Sequence, residues 1–165
     1  MTKRAVVAAM VMLALAAAWP GAAQAQAPIK IGLLQGISGP FEVYAKQAVT
    51  GFKLGLEYAT GGKMEVLGRK IEVLIEDDQL KPDVSKQKAT KLYADDKVDL
   101  IVGTTSSAAA LAILPVAAEF KKVLLVEPAV ADSITGEAWN RYIFRTGRSS
   151  SQDAIANALA VAKPG

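Results

Sequence analysis

Short apolar runs rich in β-branched residues alternate along this chain with longer segments of helical period: IKIGLL from Ile29, IEVLIE from Ile71, DLIVG from Asp99, VLLVE from Val123 and YIFRT from Tyr142. That alternation leaves little choice of architecture, because strands separated by helix-length crossovers pair in parallel and take helices on their faces. IKIGLL reads as a buried strand, being short, β-branched and closed by a Gly-rich turn. Between Phe41 and Ala59, the residues Ala45, Val49, Phe52, Leu56 and Ala59 recur at spacings of three and four, so they share one face of an amphipathic helix. Gly61-Gly62 ends that helix, and a small turn at Gly68 leads into the second strand. A second helix starts at Pro82 or Asp83, where proline suits the first turn, with Val84, Lys88, Leu92 and Tyr93 on its apolar face. A third runs from Ser106 or Ser107 to Phe120, and Pro115 within it is expected to cause a kink by removing a backbone donor. The last segment, SQDAIANALAVAKPG, reads as a helix capped by Ser151 or Asp153. It breaks off where another strand should begin, as in the first part of a longer chain.

The N-terminus carries a separate signal. A positive MTKR precedes the apolar AVVAAMVMLALAAAW, Pro20-Gly21 breaks the run, and Ala23 and Ala25 supply an A-x-A cleavage pattern. Residues 1–25 therefore read as a secretory signal peptide, and no direct membrane insertion is expected once it is removed. The run stops near Trp19, short of the roughly 20 apolar residues a span requires. Cleavage after Ala25 predicts an exported protein that begins at Gln26. Intact-mass measurement on periplasmic material checks this, and a retained Met1 would refute it.

Export takes the basic groups from 19 to 17, by removing Lys3 and Arg4, against 16 acidic ones. The mature chain is near neutral and has no clustered basic face for nucleic acid. With no cysteine there is no disulfide or thiolate metal site, and with no histidine the commonest metal ligand and general base is missing. An enzyme would have to work with Lys, Asp or Glu alone beside its nucleophile. Neither catalysis, a cofactor nor a metal is expected.

Right-handed crossovers and short connections favour a three-layer, Rossmann-like α/β sheet with the flavodoxin-like strand order 2-1-3-4-5. Its switch point lies between the first and third strands, and ligands bind outside the carboxyl ends there. The loops that reach this crevice are QGISGP, GTTSS and EPAVAD. In GTTSS a small-residue turn feeds a helix, presenting unpaired N–H groups and the hydroxyls of Thr105, Ser106 and Ser107 to an anion. Ser106 has an alternative role as a plain N-cap. Tyr44, in the first turn of its helix, offers an aromatic wall or packs on the helix surface. Glu127 ends an apolar strand at the crevice, where it binds a ligand ammonium or hydroxyl or pairs with Arg145. Asp77 and Asp78 end the second strand away from the switch point, with no third ligand for a metal. The glycines 32, 36 and 39 do not make G-x-G-x-x-G, which argues against a nucleotide.

The ordered set IKIGLLQGISGP, the DD that ends the second strand, GTTSS, EPAVAD and YIFRTGRSSSQ resembles the periplasmic binding proteins of the branched-chain amino-acid type, leucine-binding-protein-like with a type I fold. The resemblance implies two α/β lobes that close on a ligand as hinged domains. Residues 26–149 would form the first ligand-binding lobe, and 150–165 the start of a crossover helix into the second. It further implies a periplasmic substrate-binding component of an ABC transporter, with a membrane permease as partner. Ser107 matches the serine that binds the ligand carboxylate, and Tyr44 an aromatic residue packing over it. Amino-acid binders of this type usually follow small residues with Thr, whose hydroxyl helps hold the ligand ammonium. Here the loop reads Ala129-Val130-Ala131. The Ala129 carbonyl remains as an acceptor, but Ala131 has no hydroxyl to offer. A carboxylate without an amine, such as an aromatic or aliphatic acid, then stands beside an amino acid as the ligand, with Glu127 available for a distal hydroxyl. A ligand-sensing receptor ectodomain is the alternative use of the same lobe.

Overall fold

The computed structural model describes residues 26–162. The signal peptide and its cleavage point after Ala25 lie outside the described residues. Strands β1 (Ile29–Gln35), β2 (Glu65–Val66), β3 (Arg69–Asp77), β4 (Leu100–Gly103), β5 (Val123–Val126) and β6 (Ile143–Arg145) form one sheet in the order β2-β3-β1-β4-β5-β6. All pairings are parallel except β2 with β3. With the two-residue β2 set aside, this is the expected order 2-1-3-4-5. The hairpin that adds β2 turns through Leu67 and Gly68, both at positive φ (51° and 77°), the geometry that matches strand twist in a tight hairpin.

Helix α1 (Glu42–Ala59) covers one face of the sheet, while α2 (Pro82–Ala94) and α3 (Ser107–Phe120) cover the other. The main core lies under the latter pair. Leu34, Ile101, Leu124, Val126 and Ile143 from the strands meet Leu92 and Tyr93 of α2 and Ala110, Ile113, Leu114 and Ala117 of α3. Opposite, Val49, Phe52 and Leu56 of α1 pack on Ile31, Leu33 and Val102. Because side chains alternate along a strand, β1 and β4 feed both layers, Leu34 and Ile101 one and Leu33 and Val102 the other.

Three expectations are corrected in detail. Ala59 is exposed, so the buried stripe of α1 ends at Leu56. The inward face of α2 is Ser85, Ala89, Leu92 and Tyr93 rather than one running through Val84 and Lys88. Small residues there bring α2 close to α3, and Lys88 instead reaches Glu76 at 2.6 Å. Finally, α4 (Ser150–Val161) is capped by Ser149, neither by Ser151 nor by Asp153. The Gln152 N–H donates to Ser149 Oγ and Gln152 Oε1 accepts from the Ser149 N–H, a reciprocal capping box. Helix α3 runs on through Pro115, which is exposed.

Candidate functional site

The carboxyl ends of β1, β4 and β5 converge on a cleft of about 370 Å³ lined by Phe41, Tyr44, Thr105, Ser106, Ser107, Pro128, Ala129, Val130 and Arg148. Of the three expected loops, those after β4 and β5 line the cleft, while the third wall is the start of α1 and not QGISGP. At the floor the first turn of α3 has N–H groups without helical acceptors.

The hydroxyl of Ser107 ties two loops together. Its Oγ accepts from the N–H of Val130 at 3.3 Å and of Ala131 at 3.1 Å. Both lone pairs are then occupied, and the single hydroxyl proton remains for another acceptor. Ser106 stands at the N-cap position, but its side chain makes no capping bond. The plain-cap reading of Ser106 is thus corrected, and its hydroxyl is left to the cleft. Thr105 is differently placed. Its hydroxyl donates to Gln35 Oε1 at 2.7 Å and accepts from the Gly36 N–H at 3.2 Å, while Gln35 Nε2 donates to the Glu127 carbonyl at 3.0 Å. Gln35 is 1% exposed. This buried amide, which sequence reasoning passed over, holds the ends of β1, β4 and β5 in register.

Tyr44 lines the cleft with Phe41, the ring centroids 6.4 Å apart and edge-on at 87°. Phe41 was not anticipated, since the expected helix began at about this residue and its apolar face was counted from Ala45; it is the N-cap position of α1. Arg148 also went unmarked, although it lines the same cleft as Thr105, Ser106 and Ser107. It lies between β6 and α4, with Nε donating to Asp153 Oδ1 and Oδ2 at 2.6 and 2.8 Å.

Glu127 and Arg145 do not pair. Glu127 Oε2 accepts from the Thr146 hydroxyl at 2.7 Å, and the carboxylate borders a separate recess under α1 with Leu33, Phe52 and Val102. Arg145 Nη1 instead donates to the carbonyls of Val130 at 3.4 Å and Ala131 at 2.8 Å. The reason is geometric, since successive strand residues point to opposite faces and the two side chains leave their strands on different sides. Ala129 is 3% exposed and lines the cleft, whereas Ala131 lies outside the lining and packs against the main core.

Asp77 and Asp78 act structurally. Burial alone would raise Asp77, but bonds from the Ser38 hydroxyl and the N–H groups of Gln79, Ser38 and Ile37 together hold it below the usual carboxylate range. It thereby pins the QGISGP loop. Asp78 is 0% exposed, and burial pushes its carboxyl up against the pull of the Leu80 N–H and the Ser85 hydroxyl, with the Asp77 charge adding to the rise. Ser85 Oγ lies 2.8 Å from the Lys81 carbonyl and 3.1 Å from Asp78 Oδ2, yet carries one proton. One donor thus serves two acceptors, and Asp78 Oδ2 receives only part of it. The raised value makes the Asp78 contribution full below its unfolded value of about 3.9 and progressively lost as pH rises through the folded one. Asp78→Asn, whose amide donates permanently, is expected to gain about 1 kcal/mol at pH 7 and to lose that advantage near pH 4. Urea midpoints of both proteins across this range test it, and a destabilised variant at pH 7 contradicts it.

A family model described as "Periplasmic binding protein" matches residues 28–165. Among solved structures, an ABC-type branched-chain amino acid transporter from Rhodopseudomonas palustris CGA009 is 64% identical with a TM-score of 0.79, covering 83% of this chain and 37% of that one. A solute binding protein of an ABC transporter from Rhodopseudomonas palustris BisB5, in complex with 3,4-dihydroxy benzoic acid, is 35% identical with a TM-score of 0.69, covering 76% of this chain and 33% of that one. Leu/Ile/Val-binding protein homolog 7 of Brucella suis biovar 1 is 36% identical over 129 residues, 76% of this chain and 31% of the relative. The chain spans about a third of the length of the curated relatives it matches.

Proposed function

The chain belongs to the periplasmic binding protein family, and from that membership we propose that it forms the first lobe of a substrate-binding component of an ABC transporter. After export the protein captures a small carboxylate in the periplasm, encloses it between two lobes and delivers it to a membrane permease, without chemistry on the ligand. Residues 26–149 form the lobe and α4 begins the crossover to the second.

The observation that carries this reading is Ser107. Its acceptor sites are filled by the N–H groups of Val130 and Ala131, so its proton is left to donate at the N-terminus of α3, beside unpaired N–H groups. A carboxylate accepts from all of them. Tyr44 and Phe41 then cover the body of the ligand, and Ser106 adds a second hydroxyl. An aromatic acid is favoured over an amino acid because Ala131 brings no side-chain oxygen to an ammonium. The relative that holds 3,4-dihydroxy benzoic acid supports this class, while those named Leu/Ile/Val-binding proteins support the amino-acid reading.

A thermal-shift screen of the full-length protein against aromatic acids, aliphatic acids and amino acids tests the proposal. Ligand at 100 times Kd stabilises the folded state by about 2.7 kcal/mol. Stabilisation by a carboxylate and not by its amide or alcohol analogue is expected. Equal shifts with the uncharged analogues would remove Ser107 and the α3 terminus as the anchor.

A further inference from the structure

We propose that Arg148 is a second contact to the ligand carboxylate, and that with Phe41 and Tyr44 it makes the cleft selective for flat aromatic carboxylates without an α-ammonium. This rests on the reading of the cleft given above.

Arg148 is the charged residue among those that line the cleft. A guanidinium carries five N–H donors in a planar fork. The Nε–H is spent on Asp153, and among the described residues no other bond from the Arg148 side chain is formed. The terminal amino groups are left to a bidentate partner, for which a carboxylate has the matching geometry. The side chain is also steadied in advance. Asp153 lies in the first turn of α4, and the residue after Arg148 is the capping Ser149. A guanidinium that is already ordered loses less entropy on binding.

Acceptors in the same cleft are few, and of the carbonyls of the loop after β5 that of Ala129 is left unoccupied among the described residues. The Val130 carbonyl accepts from the Ser150 N–H at 2.8 Å and from Arg145, and the Ala131 carbonyl accepts from Arg145 and from the Ile134 N–H at 3.3 Å. The Glu127 carboxylate borders the other recess. An amino-acid zwitterion would therefore bring its ammonium next to donors and a cation with the Ala129 carbonyl as its main acceptor, and a buried ammonium short of partners is costly. An aromatic acid brings only the anion. Its flat ring fits the edge-on pair of Phe41 and Tyr44, and the guanidinium plane offers a further stacking surface.

The test is titration calorimetry on the full-length protein with 3,4-dihydroxybenzoate and leucine as probes, using wild type, Arg148→Gln, Arg148→Lys and Ser107→Ala, each checked for cooperative thermal unfolding well above the assay temperature. Wild type should bind dihydroxybenzoate more tightly than leucine. Arg148→Gln should weaken dihydroxybenzoate at least tenfold, with the deficit shrinking as salt is raised, and Arg148→Lys should recover part of it. If Ser107→Ala weakens binding while Arg148→Gln stays within twofold of wild type, the inference about Arg148 fails and the cleft reading stands. Tighter binding of leucine by wild type also overturns the inference. Failure of both probes to bind, or indifference of both sites to substitution, overturns the cleft reading and the inference together.

Discussion

The Gly103→Ala variant is expected to lose about 3 kcal/mol of folding stability or more, the largest effect of any single methyl added to this lobe. Gly103 ends β4 at a φ of 153° and pairs with Leu34 across the central strands. A Cβ there would lie 2.0 Å from the Leu34 carbonyl oxygen and 3.0 Å from its carbon. Those are backbone atoms of the neighbouring strand, so no side-chain rotation relieves the overlap, and β1 must separate from β4. Overpacking in a well-packed core costs about 1 to 3 kcal/mol when side chains can adjust, and more when they cannot. Gly32 makes a useful control. Its added Cβ meets Leu92 Cδ1 at 2.9 Å and Ile101 Cγ1 at 3.2 Å, side-chain atoms that can shift. Gly32→Ala should therefore be the milder change. Urea denaturation of the full-length variants measures both, and a Gly103→Ala protein within 1 kcal/mol of wild type would show that the strand ends open easily. Because Gly103 leads into Thr104 and the cleft loop, such opening would also spoil ligand binding.

Ser107→Ala is expected to weaken ligand binding by about 1.5 to 3 kcal/mol, the range for hydrogen bonds to charged groups, which is roughly tenfold to a hundredfold or more in Kd. Two losses combine. The proton that would reach the ligand disappears, and the N–H groups of Val130 and Ala131 lose the oxygen that holds their loop against α3. The second loss should appear separately, as a drop of about 1 kcal/mol in the stability of the ligand-free protein. Ser106→Ala provides the contrast, since the Ser106 side chain holds nothing in the lobe. It should leave stability unchanged and weaken binding less. Calorimetry and urea unfolding on the same preparations separate the two effects. An unchanged Kd for Ser107→Ala, with the fold intact, would reduce Ser107 to a tie between loops.

Partner choice was the weakest part of the sequence reading, and the reasons lie in particular residues. The run Ser149-Ser150-Ser151 presents several equivalent caps. Asp132 decides among them by accepting from Ser150 Oγ at 3.2 Å and Ser151 Oγ at 2.8 Å, which leaves Ser149 to the Gln152 box. Asp132 is far from that run in the chain, so no local window contains the answer. Arg148 shows the same limit. Its place in the cleft depends on β6 standing beside β5, with the chain then turning back toward α3. In the opposite sense, the hydroxyl of Thr105 looks as available as that of Ser107 but is consumed by Gln35 and Gly36.

What the sequence determined by itself was the alternation of elements, the strand order once the two-residue β2 is set aside, and the loops after β4 and β5 that meet at the switch point. Those follow from hydrophobic period and from crossover handedness, which act over a few residues or constrain every chain alike. The tertiary structure alone decided which hydroxyls stay free, that Glu127 turns to Thr146 instead of Arg145, and that Phe41 and Arg148 join the cleft. Each of these is a competition between polar groups distant in sequence, and a side chain's donors and acceptors are assigned only when the strands and loops that carry its rivals are in place.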